Sequence, residues 1–306
     1  MEESDFIWMD GELVEWEEAK IHVLSHGLHY GTGVFEGIRA YEQEDNGSAV
    51  FRLEEHMDRF IDSAKITNID LGYSKKELIE AVENTIKENK LKKCYIRPIA
   101  FRGYSKLGVN PREVPVKVVI AVWPWGAYLG EDAIENGVSV KTSSWSRHHP
   151  NVMPTKAKAT GNYVNSALAK SEVNKDGYDE ALMLTPEGNV AEGTGENLFI
   201  VRNGKLYTPP SSSVLEGITR KSIIQLAEDE SYTVKEEKIT RDQVYRADEA
   251  FFVGTAAEVT PIASVDNRKI SNGRGEITNE LQNKFMELVK GRVEKYKGWL
   301  HRVEQN

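Results

Sequence analysis

Two lysines stand close together in Met153-Pro154-Thr155-Lys156-Ala157-Lys158-Ala159-Thr160-Gly161-Asn162-Tyr163, a loop that runs into a helix. A lysine amine relieved of its proton attacks carbonyl carbon to form an imine and can afterwards carry a proton, but a loop lysine on its own is usually a solvated charge. Two later segments give these lysines chemical company. Leu215-Glu216-Gly217-Ile218-Thr219-Arg220 and Val253-Gly254-Thr255-Ala256-Ala257-Glu258 each put a small residue and a hydroxyl at a turn, the first directly at a helix N-terminus. Backbone donors, the helix dipole and a threonine hydroxyl together make a cup for a phosphate, although capping by threonine or an ordinary strand-end turn explains either segment taken singly. A third segment, Asn189-Val190-Ala191-Glu192-Gly193-Thr194-Gly195-Glu196-Asn197-Leu198-Phe199, sets acidic residues in a glycine-rich turn ahead of a strand, where a carboxylate can keep a ring nitrogen protonated.

Other chemistries fail on spacing. Gly31-Thr32-Gly33 is followed by Gly37, one residue beyond the dinucleotide fingerprint, and no Gly-Lys-Ser/Thr phosphate loop occurs. His22, His26 and His29 have helical spacing, yet Gly27 lies among them and no zinc-protease glutamate precedes the last pair, so no metal is expected. The single Cys94 excludes a disulfide framework and any multi-cysteine metal site, and its apolar neighbours favour inert packing. With 39 basic and 48 acidic residues the net charge of −9 argues against nucleic acid as a partner. The longest apolar run, Val118 to Trp123, is far short of the roughly 20 residues of a membrane span. The acidic start Met-Glu-Glu-Ser-Asp does not read as a secretory signal, so a cytoplasmic protein is expected, with Asn46-Gly47-Ser48 a plain turn.

The elements that must position these segments alternate without the strict beat of a doubly wound sheet, and the fold class expected is mixed α/β (α+β) in two domains. The pattern predicts a hairpin over Phe6 to Val14, a helix over 53–64, and a second helix capped by Ser74 and Glu77 with Leu78, Ala81, Val82 and Ile86 buried. Strands follow at 95–101 and 116–123; Pro98 makes the first an edge strand or a bulge. Residues 124–137 read as an irregular linker between a small domain, 1–123, and a larger one, 138–306. The larger domain is expected to hold helices at 162–173 and 217–228, strands at 180–184, 198–202, 233–237, 250–254 and 259–265, and a last helix carrying Ile277, Leu281, Phe285, Leu288 and Val289.

An imine-forming lysine, a phosphate cup and a carboxylate for a ring nitrogen are what pyridoxal 5′-phosphate requires. Lys158-Ala-Thr-Gly-Asn-Tyr163, Glu192-Gly-Thr-Gly-Glu-Asn197, Gly217-Ile-Thr-Arg220 and Gly254-Thr-Ala-Ala-Glu258 resemble, in this order, the signature of the fold-type IV aminotransferases, most closely the bacterial branched-chain amino-acid aminotransferases. The resemblance extends through Trp8-Met9-Asp10-Gly11-Glu12, Ser25 to Arg39, His56-Met57-Asp58-Arg59 and Tyr95-Ile96-Arg97-Pro98, nearly the whole chain. It implies a cofactor held between two unequal domains and a homodimer as the basic unit, often built up to hexamers. The implied activity is transfer of the amino group between leucine, isoleucine or valine and 2-oxoglutarate.

Residue by residue, the resemblance makes Lys158, not Lys156, the Schiff-base lysine, and Tyr163 the donor to the cofactor's phenolate oxygen. It gives Glu192 rather than Glu196 to the pyridine nitrogen, leaving Glu196 to hold the turn, and Arg59 to the phosphate. Gly195, Leu215, Gly217, Ile218, Thr219, Gly254 and Thr255 complete the cofactor site. Substrate would meet Tyr30, Phe35, Gly37, Tyr95, Val109, Trp125 and Tyr128, with Arg97 receiving the distal carboxylate of glutamate and Thr255, Ala256 and Ala257 the α-carboxylate; Val109 or Trp125 would reach the partner subunit's pocket. Glu216, beside the phosphate cup, is expected to point to solvent. Arg97-Pro98-Ile99 lacks the histidine of the Arg-x-His trap of D-amino-acid aminotransferases. An aminodeoxychorismate lyase of the same fold is the other alternative.

Overall fold

The computed structural model describes residues 2–126, 130–271 and 273–304. The chain divides into two compact units, each gathered from separate runs of sequence.

The first unit takes Met1–Trp125, Ala157–Asn162 and Leu288–Asn306. Strands β1 (Phe6–Met9) and β2 (Glu12–Glu15) form the expected hairpin, with Asp10 and Gly11 at positive φ in its tight turn. Helix α1 (His26–Tyr30) and strands β3 (Gly33–Phe35), β4 (Ile38–Glu42) and β5 (Ser48–Phe51) follow, then α2 (Leu53–Ile66), α3 (Lys75–Glu88), β6 (Cys94–Arg102) and β7 (Val116–Trp123). The sheet is antiparallel. It runs from the C-terminal strand Leu300–Val303 through β5, β4, β6, β7 and β1 to β2, with β3 also paired to β6. Ser74 and Glu77 close the reciprocal cap that starts α3. Met57 and Phe60 of α2 and Leu78, Val82 and Ile86 of α3 share one buried cluster with Ile96 and Ile120 of the sheet.

Pro98 corrects an expectation, because it lies in β6, an interior strand, opposite Ile120 of β7. On its other side β6 pairs with β3 through Phe35↔Ile99 and with β4 through Ile38↔Ile96, leaving Glu36 and Gly37 between. The Pro98 carbonyl accepts from Glu36 N at 2.8 Å. A residue's N–H points to the same side as its carbonyl, so the missing donor faces the gap between two strands, where the ladder needs none.

The second unit takes Gly126–Lys156 and Tyr163–Glu287. Within the stretch read as irregular, a short helix α4 (Glu131–Asn136) forms instead, ended by Gly137 at φ +75°. Among its described side chains only Ala133 is buried, and Gly137 closes against Ala263 N, too little apolar pattern to announce a helix. Strands β8 (Val138–Thr142), β9 (Glu180–Leu184) and β10 (Val190–Glu192) follow, with α5 (Tyr163–Lys175) before β9. Next come β11 (Asn197–Arg202), β12 (Lys205–Thr208), α6 (Ile218–Asp229), β13 (Val234–Glu236), α7 (Arg241–Tyr245), β14 (Glu249–Gly254), β15 (Glu258–Val265), β16 (Arg268–Lys269) and α8 (Glu276–Val289). The sheet order is β10-β9-β8-β15-β14-β11-β12-β13, with parallel pairs at β8·β9, β8·β15 and β12·β13 and the remaining pairs antiparallel. This mixture is the α/β class expected from the irregular beat of the elements.

Candidate active site

In the first unit the segment Ala157–Asn162 lies along β3. Ala159 bridges Val34, Phe35 N donates to the Lys158 carbonyl at 3.0 Å, and Lys158 N donates to Ser63 Oγ of α2 at 3.0 Å. The lysine backbone is thus fixed from a strand and a helix at once. Its Nζ stands 5.0 Å from the centroid of the Phe35 ring. Gly31 makes the approach of the segment possible: at φ +64° its carbonyl takes Thr160 Oγ1 and Gly161 N, and an added Cβ would stand 2.9 Å from Gly161 Cα.

Around Lys158 the same unit gathers an aromatic wall. The Arg97 guanidinium lies 4.8 Å from the Phe35 centroid and 5.2 Å from that of Tyr95, and its Nη2 donates to Tyr95 Oη at 3.2 Å. Tyr95 in turn faces Trp123 at 5.1 Å and Trp125 at 4.9 Å. Gly37 completes the wall: an added Cβ would stand 2.1 Å from Tyr95 Oη, so a larger residue would force Tyr95 to shift. Phe35, Gly37, Tyr95, Arg97 and Trp125 are therefore together with Lys158. Tyr30 and Val109 are exposed, Val109 at 86%. Tyr128 lies outside the described residues.

Arg59 has a partner that sequence reasoning passed over. Glu36, fully buried in the gap between β3 and β4, accepts from Arg59 Nε at 2.6 Å and Nη2 at 2.8 Å, and lies 2.7 Å from His56 Nδ1. Burial would push the Glu36 carboxyl up, but the Arg59 charge and the hydrogen bonds of Arg59 and His56 outweigh it and hold it well below the usual carboxylate range. His56 is pushed down, chiefly by burial, against the opposing pull of Glu36.

In the second unit Glu192 ends β10, buried. Its Oε1 lies 2.9 Å from Arg147 Nη2 and its Oε2 accepts from Asn197 Nδ2 at 3.1 Å. Asn197 Nδ2 also reaches the Leu215 carbonyl at 3.2 Å, and an added Cβ on Gly217 would stand 2.0 Å from Asn197 Oδ1. One amide therefore ties the carboxylate turn to the start of α6. Gly217 is the N-cap of that helix and contributes no side-chain cap, so the first-turn donors of Ile218 and Thr219 are left to a ligand or solvent. Gly254 ends β14 beside the Gly195 carbonyl, 3.5 Å from where its Cβ would be, and leads into the Thr255-Ala256-Ala257 turn. A buried carboxylate between cationic and amide partners, a helix start with no side-chain cap and a glycine, Gly217, where a side chain would collide form a donor set suited to a flat, phosphorylated, nitrogen-bearing ring. Tyr163 opens α5.

Glu196 turns inward beneath the turn: its carbonyl takes Gly193 N at 2.8 Å and its Oε2 takes Gly195 N at 3.0 Å. Burial first, then the charge of Glu180, pushes its carboxyl up to about 8. Glu216, 40% exposed, faces the surface and pairs there with Lys156 at 3.0 Å and Lys221 at 3.3 Å, which offset its charge next to the cup. Of the partners missed, Glu36, His56 and Asn197 lie within the motifs and could have been found as polar residues flanking assigned ones; Arg147 carried no signal.

The sequence profile of the family described as amino-transferase class IV matches residues 33–265. A branched-chain-amino-acid aminotransferase of Pseudomonas aeruginosa is 52% identical over 96% of this chain and 95% of its own. The crystal structure of the Escherichia coli branched-chain amino acid aminotransferase superposes with a TM-score of 0.96 at 48% identity, covering 99% of this chain and 100% of that one. The branched-chain amino acid aminotransferase from Thermobaculum terrenum, crystallised in its PLP-form, gives 0.93 at 37% identity and covers 100% of both chains. A family match across most of the chain and likeness of this degree along its whole length leave one conclusion: the chain belongs to the class IV aminotransferases.

Proposed function

We propose that this chain is a pyridoxal-phosphate-dependent transaminase of branched-chain amino acids, exchanging the amino group of L-leucine, L-isoleucine or L-valine with 2-oxoglutarate to give L-glutamate, reversibly and by a ping-pong sequence. The observation that carries the reading is the wall around Lys158: Phe35, Gly37, Tyr95 and Trp125 offer apolar and aromatic surface to an aliphatic side chain, with a single guanidinium, Arg97, set in it for a second carboxylate. The close likeness to branched-chain aminotransferases supports the same substrates.

Bound pyridoxal phosphate supplies a carbonyl carbon for amines and a conjugated ring that accepts the electron pair released at the substrate's Cα. Lys158 carries the cofactor between turnovers, and its freed amine moves the proton between substrate Cα and cofactor C4′. Tyr163 donates to the phenolate oxygen. Glu192 holds the ring nitrogen's proton. Arg59, the first-turn amides of Ile218 and Thr219, and the Thr219 and Thr255 hydroxyls bind the phosphate, with Gly195, Leu215, Gly217 and Gly254 shaping the surface they present. Arg97 takes the distal carboxylate of glutamate, and the Thr255, Ala256 and Ala257 turn takes the α-carboxylate.

The working form in this reading is at least a homodimer. Val23, Leu28, Tyr30, Tyr104, Leu107 and Val109 are exposed on segments joined to each other by the His22–Tyr104 ring contact and the His26 Nε2 to Gly108 O hydrogen bond. The engagement of Trp125 by Tyr95 of its own unit, beside the exposure of Val109, supports Val109 as the residue offered to a partner's pocket. Among the described residues no helix is long and apolar enough to cross a membrane; the proposed place of action is the cytoplasm.

A screen of L- and D-amino acids, one half-reaction at a time, tests this by following the cofactor's visible band. L-Leucine, L-isoleucine, L-valine and L-glutamate should discharge the band and their D-forms should not. Preference for D-forms, or a Lys158→Ala variant as fast as the parent, would refute it. Sedimentation of the holoenzyme at the monomer mass would refute the dimer.

A further inference from the structure

The Glu192 role requires a carboxylate that stays ionised although it is buried, and burial alone favours the neutral acid. Arg147 answers that requirement. Its backbone N donates to the Leu184 carbonyl at 2.8 Å, which ties the loop after β8 to the end of β9. Its guanidinium then reaches three ways: Nη2 to Glu192 Oε1 at 2.9 Å, and Nη1 to Asn165 Oδ1 at 3.3 Å and Ser166 Oγ at 3.4 Å on α5. Only about a tenth of either side chain is exposed, 10% for Arg147 and 7% for Glu192, so the pair sits where solvent screens little. The adjacent His148 is pushed down to about 4 by burial and by the Arg147 charge, so it is a neutral neighbour that adds no charge beside Arg147.

We infer that Arg147 is a positioning residue for the transamination: it fixes the rotation of Glu192 through Oε1 and biases it to the ionised state, so that the proton of the cofactor's ring nitrogen stays on the ring. The inference rests on the assignment of Glu192 to that nitrogen. The Arg147 charge, in hydrogen-bond contact with the carboxylate, stabilises the ion pair over the neutral pair in which Glu192 has taken the proton. Asn197 holds the other oxygen but carries no charge, and cannot supply this bias.

The surroundings allow a test that separates charge from scaffolding. Arg147 lines a cavity of about 370 Å³ together with His148, Thr185, Asn189 and the exposed His149 and Lys238. Removing the side chain should enlarge this space and leave room for a small planar cation. The experiment uses holoenzyme of the parent, Arg147→Ala and Arg147→Lys, with the leucine half-reaction followed at the visible band and the fraction folded checked by circular dichroism. Arg147→Ala should lower the rate constant at saturating leucine by roughly 100-fold with KM within about threefold, because the missing interaction acts on the reacting proton and not on substrate binding. Guanidinium ion at millimolar, non-denaturing concentration should restore at least about tenfold in Arg147→Ala and nothing in the parent, and Arg147→Lys should fall between the two. The inference is overturned if Arg147→Ala runs at the parental rate, or if its loss is untouched by guanidinium and shared in full by Arg147→Lys. A parent enzyme that does not discharge its band with leucine would instead refute the proposed function.

Discussion

The tightest point of the proposed substrate wall is Gly37, and it yields the sharpest prediction. In Gly37→Ala the new Cβ would stand 2.1 Å from Tyr95 Oη and 3.0 Å from Cζ, whereas nonbonded contact needs roughly 3.5 Å. The hydroxyl must therefore retreat by more than about 1 Å. The ring has little freedom to do so, since Tyr95 is 5% exposed and faces Trp123 at 5.1 Å and Trp125 at 4.9 Å. Any retreat also strips Arg97 of its hydrogen bond from Nη2 to Tyr95 Oη. Overpacking of this kind costs about 1–3 kcal/mol of stability, and a misplacement of about 1 Å beside the reacting atoms costs on the order of 100-fold in rate. The assay is the single-turnover leucine and glutamate half-reactions, with denaturant midpoints alongside. Both half-reactions should slow, glutamate more than leucine because it also loses a positioned Arg97. Adding Tyr95→Phe to Gly37→Ala removes the 2.1 Å collision and leaves only a few tenths of an ångström to be absorbed at Cζ, so the double variant should be faster than Gly37→Ala alone. Parental rates for Gly37→Ala, or a double variant no faster than the single, would show that this wall does not contact substrate.

Two further expectations follow from single groups. Arg97→Ala should lower kcat/KM for glutamate by about 10- to 100-fold, the worth of a charge-assisted hydrogen bond, and for leucine by less than about threefold; equal losses would remove Arg97 from the distal-carboxylate role. Glu196 carries a proton in the fold up to about pH 8 against an ordinary 4.5, so the stability it contributes is fully present below about pH 4.5 and lost as pH rises through about 8. Denaturant midpoints of the parent should thus fall relative to Glu196→Gln between about pH 5 and about 8, by at most about 1.4 kcal/mol per unit, and the gap should level off above; a gap that stays flat with pH would refute the buried acid.

What could be read from the chain and what could not divide along physical lines. Local signals were legible: the Ser74 cap with Glu77 three residues on, the Asp10-Gly11 turn and the apolar stripe of α2 each act over a few residues, and the structure forms all three. Pro98 misled because strand propensity says nothing about a neighbour. It sits inside a sheet only because β3 ends at Phe35 and β4 begins at Ile38, leaving no donor required between them. Helix α4 was hidden by its shortness and its buried alanine standing without an apolar stripe. At the candidate site, residue types with a motif around them, such as Lys158 and Gly217, could be singled out, whereas their partners could not. Glu36 meets Arg59 across 23 positions and Arg147 meets Glu192 across 45, and no periodicity links residues that far apart. Glu216 meets Lys156 across 60 positions, likewise out of reach of periodicity, which gives the first lysine of the loop a structural task.

Those long-range pairs also explain how a chain of net charge −9 can be built around an anionic cofactor. Left alone in the fold, Arg59 and Glu192 would each be a charge short of water, and uncompensated burial of either would cost several kcal/mol. Each is met by an opposite charge from its own unit, Glu36 for Arg59 and Arg147 for Glu192, so each of these two places is close to electroneutral before anything binds. A phosphate bound at Arg59 as proposed would meet a cation already paired with a bidentate carboxylate, and the attraction of that side chain alone would be correspondingly weak. The remaining strength must come from groups that have not spent their hydrogen bonds on a side-chain cap, and the start of α6 beyond Gly217 is built that way. Net charge is therefore a poor guide to such a ligand, because in the proposed site the cofactor would be held by oriented backbone donors and paired ions, both of which contribute almost nothing to the sum.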